Sequence, residues 1–398
     1  MPPSLTRRAA LLAGAGSLSA CSLPIRQPAV PQDQTARATV LGLANERFLI
    51  GHGSAAITQE YVAALERRRA FLGLAPGATL PAMDLLAVSG GGEDGAFGAG
   101  LLNGWTLEGS RPVFNLVTGV STGALTAPFA FIGPAADAPL KNVYTGVTLA
   151  DIATARGMMA ALFDDAMSDT APLFGTISRE LGDNLLAAVA QGYREGRLLL
   201  IGTTNLDTQL PVIWNIGAIA NSGDPRASNL IRRILLASAA IPGVFPPVLF
   251  DVEVDGRKYQ ELHVDGGAVA QAFLYPPAVG AQRQANIRAR RPVPPLRAWM
   301  IRNARIDANW ASTNRRTLSI AQRAVATMTA ASGYNDAVRI WLNAQRDGVE
   351  FRMAYIGSDF GVVYDQPFDQ TYMTPLFDYG FQKARAGYPW SRQPPFTS

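Results

Sequence analysis

From about residue 84 onward, short runs of apolar residues alternate with longer segments in which apolar positions recur at helical spacing. An uninterrupted apolar run bounded by glycines is typical of a strand covered on both faces. The predicted strands are residues 85–88, 114–118, 198–203, 297–302 and 351–356, and the predicted helices are residues 96–107, 229–239 and 317–343. This alternation predicts an α/β fold of three layers, with helices on both faces of a mostly parallel central sheet.

Two further stretches have a distinct pattern. Residues 252–259 place Asp255 and Gly256 between two short β-prone runs, which predicts a hairpin. Residues 112–136 contain no charge, but glycines and Pro128 interrupt them. We therefore expect a strand, a turn and a helix there, and not a membrane span.

The amino-terminal residues 1–20 have the pattern of a signal peptide. Arg7 and Arg8 precede an apolar stretch of residues 9–18, which is too short to cross a hydrocarbon core of ~30 Å. Cys21 follows Leu18-Ser19-Ala20, a string that resembles the lipobox of bacterial lipoproteins. The resemblance implies a lipid on Cys21 and a membrane-anchored protein of the bacterial cell envelope that faces the periplasm. A buried cysteine behind an apolar run is the alternative, and the export route, general or twin-arginine, stays open.

Residues 21–80 are expected to form a tether and an N-terminal helical segment. Pro24, Pro28 and Pro31 favour an extended linker up to about residue 40. Residues 61–74 look helical, with three arginines at 67–69 on the solvent side. Such a run is typical of a solvated face, with attraction to anionic lipid as the alternative.

Composition excludes several classes of protein. A content of 48% hydrophobic and 17% charged residues excludes a disordered chain. Basic and acidic residues are balanced, 35 against 31, and form no long basic run, so no nucleic-acid partner is expected. The sequence has one cysteine and two histidines, which excludes an internal disulfide and a cysteine-based metal cluster. We expect neither a metal nor an organic cofactor.

The first motif with chemical content is Gly119-Val120-Ser121-Thr122-Gly123, a G-x-S-x-G between a predicted strand and a predicted helix. In that setting it predicts a nucleophile elbow, a tight turn that lifts the serine oxygen clear of the sheet. The serine would then lie at a helix N-terminus, where free amides favour developing negative charge. Ser121 is thus the candidate nucleophile.

The second motif is the string SGGGEDG at residues 89–95, which also ends a strand and opens a helix. Backbone amides of Gly90, Gly91 and Gly92 can turn toward one point, which suits an oxyanion hole. Gly90, Gly92 and Gly95 also spell a G-x-G-x-x-G, the dinucleotide fingerprint. That alternative needs an acidic residue about 20 positions on, and the chain has none there.

The third motif is Asp265, which closes an apolar strand and precedes Gly266 and Gly267. A carboxylate there can reach the same sheet edge as Ser121. The alternative is an ordinary turn, because Asp-Gly is a common turn pair.

Together the three motifs resemble the patatin-like phospholipase family, in their order and spacing, over roughly residues 84–385. Residues 169–173, 237–247 and 368–380 look alike too. The resemblance implies a patatin-like α/β/α fold with Ser121 as nucleophile, Asp265 as general base of a Ser-Asp dyad, and the glycine loop as oxyanion hole. Ser89 and Asp94 depart from the residues that the family often has there, Asp and Arg. The change at Asp94 bears on headgroup preference, since an exposed acid pair at 93–94 would repel phosphate. The alternative is that these two acids complement the dipole at the N-terminus of the helix.

The histidines agree with a dyad but leave one alternative. His52 lies before the domain, whereas His263 is two residues from Asp265 and faces the same side of a strand. A base role for His263 is therefore not excluded.

The expected function is that of a lipid acyl hydrolase of phospholipase A or lysophospholipase type, with membrane lipid as substrate and an acyl-enzyme intermediate. The alternatives are an esterase on neutral lipid or polyester, and a non-catalytic lipid-binding lipoprotein of the envelope.

Overall fold

The computed structural model of the protein describes residues 26–147, 149–152, 154–155, 168–307, 310, 312–363 and 367–395. The predicted signal peptide and Cys21 lie outside the described residues.

One sheet of nine strands organises the described part of the chain. Its strands are β1 (Arg47–Leu49), β2 (Met83–Val88), β3 (Leu116–Val120), β6 (Leu198–Asn205), β7 (Leu210–Asn215), β8 (Val248–Val254), β9 (Arg257–Asp265), β10 (Leu296–Arg305) and β11 (Glu350–Ile356). A separate small ribbon pairs β4 (Thr154–Ala155) with β5 (Ser168–Asp169).

The centre of the sheet is parallel. Strands β6, β3, β2, β10 and β11 lie side by side in that order, all pointing the same way. Strands β7 and β9 both pair with β6 in antiparallel fashion, and they add β1 and β8 respectively. The predicted fold class, a mostly parallel sheet between helices, is confirmed. We call the side to which the five parallel strands point the carboxyl edge.

The helices are α1 (Ala55–Phe71), α2 (Gly95–Glu108), α3 (Thr122–Ile132), α4 (Asp137–Thr145), α5 (Leu149–Ile152), α6 (Ala171–Glu180), α7 (Asp183–Arg194), α8 (Ile216–Asn221), α9 (Ala227–Ser238), α10 (Pro277–Arg288), α11 (Thr317–Asp347) and α12 (Gln370–Arg385). Short 3-10 turns occur at Gln32–Arg37, Ile50–His52, Gly92–Asp94, Pro134–Ala136 and Gly266–Ala268.

Alternate side chains along a strand point to opposite faces of the sheet, and those on each face pack against a different layer of helices. Leu86 and Val88 of β2 join one apolar cluster, which also includes residues of α2, α3, α9 and α12. Leu85 and Ala87 join a second cluster on the other face, with residues of α1 and α11. All six residues of β2 are buried, because helices cover both faces of this strand. In β8, by contrast, buried and more exposed residues alternate, as expected for an antiparallel strand with one open face.

Helices α2 and α12 approach each other closely on the first face. A side chain at Gly100 or Gly104 would run into the carbonyls of Phe377 or Phe381, and one at Gly380 into the carbonyl of Phe97. These glycines therefore allow the two backbones to touch. The resemblance noted at residues 368–380 falls on this contact.

The predicted hairpin and the uncharged stretch are both found. Asp255 and Gly256 have φ of 50° and 79° between β8 and β9, as a two-residue turn of type I′ requires. Residues 112–136 contain β3 and α3. Among the described residues, no helix has both the length and the apolar character needed to cross a bilayer.

The amino-terminal segment differs from the expected extended tether. The Pro28 carbonyl accepts a hydrogen bond from the Gln260 amide, and Thr39 pairs with Glu253, so this segment lies against β8 and β9. Val30 and Ala38 are buried in the same contact. Apolar residues between the prolines make this docking possible. Helix α1 also begins six residues before the predicted helix, and β1 adds a strand to the sheet from a region expected to lie outside the domain.

Candidate active site

Ser121 forms a strained turn between β3 and α3. Its φ of 55° and ψ of −128° are unusual for a residue with a side chain, and it stands at the N-cap of α3. A side chain at Gly119 would run into the backbone of Gly123, and one at Gly123 into the carbonyl of Val88. Both glycines of the motif are therefore required by close backbone contacts, which is the geometry of the predicted elbow.

The backbone of Ser121 is held by Ser238, the last residue of α9. The Ser121 amide donates a 3.0 Å hydrogen bond to Ser238 Oγ, and Ser238 Oγ donates a 2.6 Å bond to the Gly202 carbonyl. Ser238 is fully buried. It links the elbow to β6, and because the Ser121 amide is already used, oxyanion donors have to come from other amides.

Asp265 ends β9 opposite Thr203 of β6. Its Oδ1 accepts a 2.7 Å hydrogen bond from the Gly267 amide, whereas Oδ2 is buried and has no partner among the described residues. Burial raises the pKa of the carboxyl to about 7, although the Ser121 hydroxyl and the Gly267 amide lower it. A carboxyl with such a pKa and one unpartnered oxygen is suited to accept a proton near neutral pH.

The structure brings Ser121 and Asp265 together. The Ser121 hydroxyl acts on the pKa of Asp265 as a side-chain donor, yet it does not meet ordinary hydrogen-bond geometry with Oδ2. Loose contacts of this kind between a serine and its base are common in unliganded sites and tighten when substrate binds. A hydroxyl and a carboxyl oxygen in this arrangement can exchange a proton.

The glycine loop lies beside this pair. A side chain at Gly90 would approach the Cβ of Ser121 to 3.2 Å, so loop and elbow are neighbours. The Gly90 amide donates a 3.0 Å hydrogen bond to the Gln271 carbonyl and is therefore occupied. No hydrogen bond of the described residues uses the amides of Gly91 and Gly92, which leaves these two as candidate donors.

Two residues that the sequence did not single out hold the loop in place. Asn303 of β10 donates from its backbone amide to Ser89 Oγ and from Nδ2 to the Ser89 carbonyl, and its Oδ1 accepts from the Gly98 amide. Gln271 accepts from Gly90 through its carbonyl and donates from Nε2 to the Gly267 carbonyl. In the sequence, the signal that could have indicated Asn303 and Gln271 is that each is a polar residue next to an apolar segment.

Gln271 is in turn fixed by α11. The amides of Gln271 and Ala272 donate to Oδ2 of Asp336, at 2.7 and 3.2 Å. Asp336 is buried and pairs with Arg339. Helix α11 is thereby connected to the loop that carries Asp265.

His263 lies in a closed polar cluster. Its Nδ1 contacts Thr203 Oγ1 at 2.9 Å and its Nε2 contacts Glu261 at 3.0 Å. Burial opposes ionisation of Glu261, yet the buried Arg47 pairs with it and its pKa falls to about 2. An ionised Glu261 can only accept, so Nε2 carries the proton and Nδ1 accepts from Thr203, whose oxygen accepts from Trp214. Both ring nitrogens of His263 are therefore occupied.

The other histidine and the acid pair also have defined positions. His52 lies in the 3-10 turn after β1, at the far edge of the sheet. Asp94 stands at the start of α2 and accepts a hydrogen bond from Tyr372. Burial raises the pKa of Asp94 to about 7, against the lowering effect of Tyr372. Part of the charge that was expected to repel phosphate is thus held in a hydrogen bond.

Ser121 and Gly92 line an apolar cavity. Glu180 is the one charged residue among the described residues that line it. The apolar lining includes Leu125, Phe129, Val147, Leu173, Ile177, Leu235, Phe245 and Phe368. A cavity with this lining can bury an acyl chain with its ester next to Ser121.

Comparison with known proteins finds a matching family model and similarity to solved structures. The model of the patatin-like phospholipase family matches residues 86–277, which include the glycine loop, Ser121 and Asp265. A crystal structure of VipD from Legionella pneumophila is similar with 11% sequence identity and a TM-score of 0.38, over 76% of this chain and 66% of the VipD chain. No curated protein sequence matches the chain.

Proposed function

We propose that the protein, whose residues 86–277 match the model of the patatin-like phospholipase family, is a lipid-ester hydrolase that cleaves carboxylic esters of glycerophospholipids or lysophospholipids through a Ser121–Asp265 dyad. The observation that carries the proposal is that Ser121, which neighbours the unpartnered oxygen of Asp265 and the glycine loop, lines an apolar cavity.

In the proposed reaction, Ser121 Oγ attacks the ester carbonyl while Asp265 Oδ2 takes its proton. The negative charge on the carbonyl oxygen is stabilised by the amides of Gly91 and Gly92 and by the N-terminus of α3. The ester C–O bond then breaks, and Asp265 returns the proton to the leaving alcohol. Water attacks the acyl-enzyme by the same route and releases the fatty acid.

A neutral lipid or polyester ester is the second candidate substrate. The observation that favours it is the lining of the cavity, where Glu180 is the charged residue among those described and would repel an anionic headgroup. A panel of phospholipid, lysophospholipid, triacylglycerol and short polyester substrates separates the two, with released fatty acid as the readout.

The first prediction tests the dyad. Ser121→Ala and Asp265→Asn should each lower hydrolysis by several orders of magnitude, and the double variant should be little worse, because members of one catalytic unit are strongly non-additive. His263→Gln is the matched control and should stay active. The measurement is lipid-product analysis with the purified protein, checked for folding by circular dichroism.

Two outcomes would decide against the dyad. Loss of activity in a folded His263→Gln protein would restore a histidine base. Failure of Ser121 to react with a fluorophosphonate probe, together with absence of hydrolysis, would favour a lipid-binding protein without catalysis.

We also propose that the protein is a lipoprotein of the bacterial cell envelope that faces the periplasm, with a signal peptide at residues 1–20 and a lipid on Cys21. The lipobox-like string before Cys21 supports this.

A further inference from the structure

The three most exposed large apolar side chains of the described residues lie beyond the carboxyl edge of the sheet. Trp310 and Val363 are each 87% exposed, and Met328 is 70% exposed. Trp310 follows β10, Val363 follows β11, and Met328 lies in the first half of α11. We define the docking face as these residues and the other exposed large apolar residues of the same three segments: Trp310, Ile320, Val325, Met328, Val362 and Val363.

Helix α11 has two different halves. In its second half Ala337, Ile340 and Ala344 are buried against the sheet. Residues 317–331, by contrast, contain no buried residue among those whose exposure is described. The change occurs at Gly333, where a side chain would meet Arg302 and Gln271. The first half of α11 therefore extends about 24 Å outward from a point next to the candidate active site.

The apolar residues of this exposed half share one side of the helix. At 100° per residue, Ile320, Met328 and Val325 fall within an arc of about 140°. Polar residues occupy much of the opposite side. An exposed amphipathic helix with a nearby exposed tryptophan is typical of an element that lies in a membrane surface.

The charge of the segment points to an anionic surface. Residues 308–335 contain three arginines and no acidic residue. Arg315 and Arg316 are exposed directly before α11. Basic residues beside an apolar face attract anionic lipid headgroups while the apolar side chains enter the bilayer.

Short stretches of chain connect the docking face to the candidate cavity. The loop after β11 carries Val362 and Val363 and then Phe368, which lines the cavity. Gln271, which contacts α11, binds Gly90 of the glycine loop. A bilayer on the docking face would therefore lie close to the entrance used by a lipid substrate.

We propose that the docking face inserts into the surface of an anionic lipid bilayer and holds the cavity against it. The proposal rests on the proposed function, which explains why the protein would bind a bilayer. The binding itself can be measured without hydrolysis.

The test uses the full chain with Ser121→Ala and Cys21→Ser in every arm, so that neither hydrolysis nor an attached lipid contributes. Binding is measured by flotation with vesicles of phosphatidylcholine alone or with about one third phosphatidylglycerol. Ile320→Ser with Met328→Ser should weaken binding to the anionic vesicles roughly tenfold or more. Arg315→Gln with Arg316→Gln should weaken it roughly tenfold on anionic vesicles and little on neutral ones.

The matched control is Leu107→Ser with Val113→Ser. These two side chains are 66% and 67% exposed, but they lie near the start of β3, at the opposite edge of the sheet. This pair should bind like the parent. Thermal unfolding verifies that each variant is folded. Tryptophan emission gives a second readout, since a blue shift on anionic vesicles should disappear in Trp310→Phe.

Three results have distinct meanings. Equal vesicle affinity of parent and docking-face variants would overturn the proposal. Conversion of a dimer to a monomer by those variants, with vesicle affinity unchanged, would overturn it in favour of contact between two copies. If the protein that retains Ser121 hydrolyses no substrate while vesicle binding still depends on the docking face, the proposed function would be overturned and the docking-face proposal would remain supported.

Discussion

Asp265 has a carboxyl group that is buried at the end of β9, and the same burial that suits it as a base opposes its ionisation. Its pKa is raised to about 7 by that burial. An unfolded aspartate has a pKa near 3.9. Between those two pH values the unfolded chain has lost the proton and the folded protein keeps it. The unfolded state then binds fewer protons, so the free energy of unfolding falls as pH rises through this window.

This gives a prediction for stability. Below about pH 4, the difference in free energy of unfolding between Asp265→Asn and the parent should not change with pH. From about pH 4 to about 7, the free energy of unfolding of the variant should rise relative to that of the parent by up to about 1.4 kcal/mol per pH unit. Above that range the difference between the two should stay constant. Urea unfolding across the range measures it.

The control is Asp255→Asn, the same substitution at the exposed tip of the β8–β9 hairpin. Parallel stability curves for the parent and Asp265→Asn would mean that Asp265 is not held protonated in the folded protein.

Single residues also mark the limit of prediction from the sequence. The positions of Ser121 and Asp265 in turns at strand ends could be predicted, because each stands in a short motif beside glycines. The roles of Ser238, Gln271 and Asn303 could not, since they depend on contacts with Ser121, Gly90 and Ser89, which are more than 100 positions away. A buried polar side chain has no local pattern that reveals its partner.

Among the elements, the glycine loop between β2 and α2 has two neighbouring positions with different constraints. A side chain at Gly91 would run into the carbonyl of Asn303. Gly92 has a φ of 58° and open space around it. The first position is restricted by a neighbouring strand and the second by its own backbone conformation.

The prediction for this element compares two substitutions. Gly91→Ala should displace the loop and lower kcat by about 10²–10³, the usual cost of losing one oxyanion donor. Gly92→Ala should cost about 1–2 kcal/mol of stability because alanine disfavours a left-handed conformation, and it should keep most of kcat because nothing is displaced. Steady-state kinetics and thermal unfolding measure both.

A folded Gly91→Ala protein with near-normal kcat would assign the loop to packing. An equal loss of kcat in both variants would also contradict the different roles given to the two glycines, since of the two only a side chain at Gly91 would meet Asn303.

The long apolar elements were predicted well because burial on both faces leaves a strong local pattern. Strands β2, β10 and β11 and helix α2 begin and end within about three residues of the expected bounds. Strand β1 has three residues, and its pairing with β7 depends on a partner about 165 positions away, so no local pattern indicates it. The segment at 26–39 was misjudged because prolines favour extended chain whether or not it is docked.

At the scale of the molecule, several functional features share one edge of the sheet. Ser121, the glycine loop and Asp265 lie at or near the carboxyl edge, and the docking face extends beyond it. Arg26, the first described residue, pairs with Asp207 in the turn that follows β6, on the same side. The order of the strands, which creates this arrangement, could not be predicted from local patterns because it depends on pairing between distant segments.

Arg26 lies five positions after Cys21, a distance of at most about 18 Å along the chain. A lipid on Cys21 would therefore enter the membrane close to the carboxyl edge, and both attachments would hold the protein to one surface in one orientation. The docking face alone relies partly on charge, which salt screens, whereas two or more acyl chains give firm attachment.

The last prediction follows from this difference. In cells, the parent protein should stay with membranes through a wash with about 1 M salt and should take up labelled fatty acid. Cys21→Ser should take up no label, and the part of it that reaches membranes should be released by the salt wash, because only the docking face remains. Adding Ile320→Ser and Met328→Ser to Cys21→Ser should leave the protein soluble even at low salt. Release of the parent by salt, without incorporated label, would contradict the lipoprotein proposal, while retention of the triple variant on membranes would contradict the division of roles between anchor and docking face.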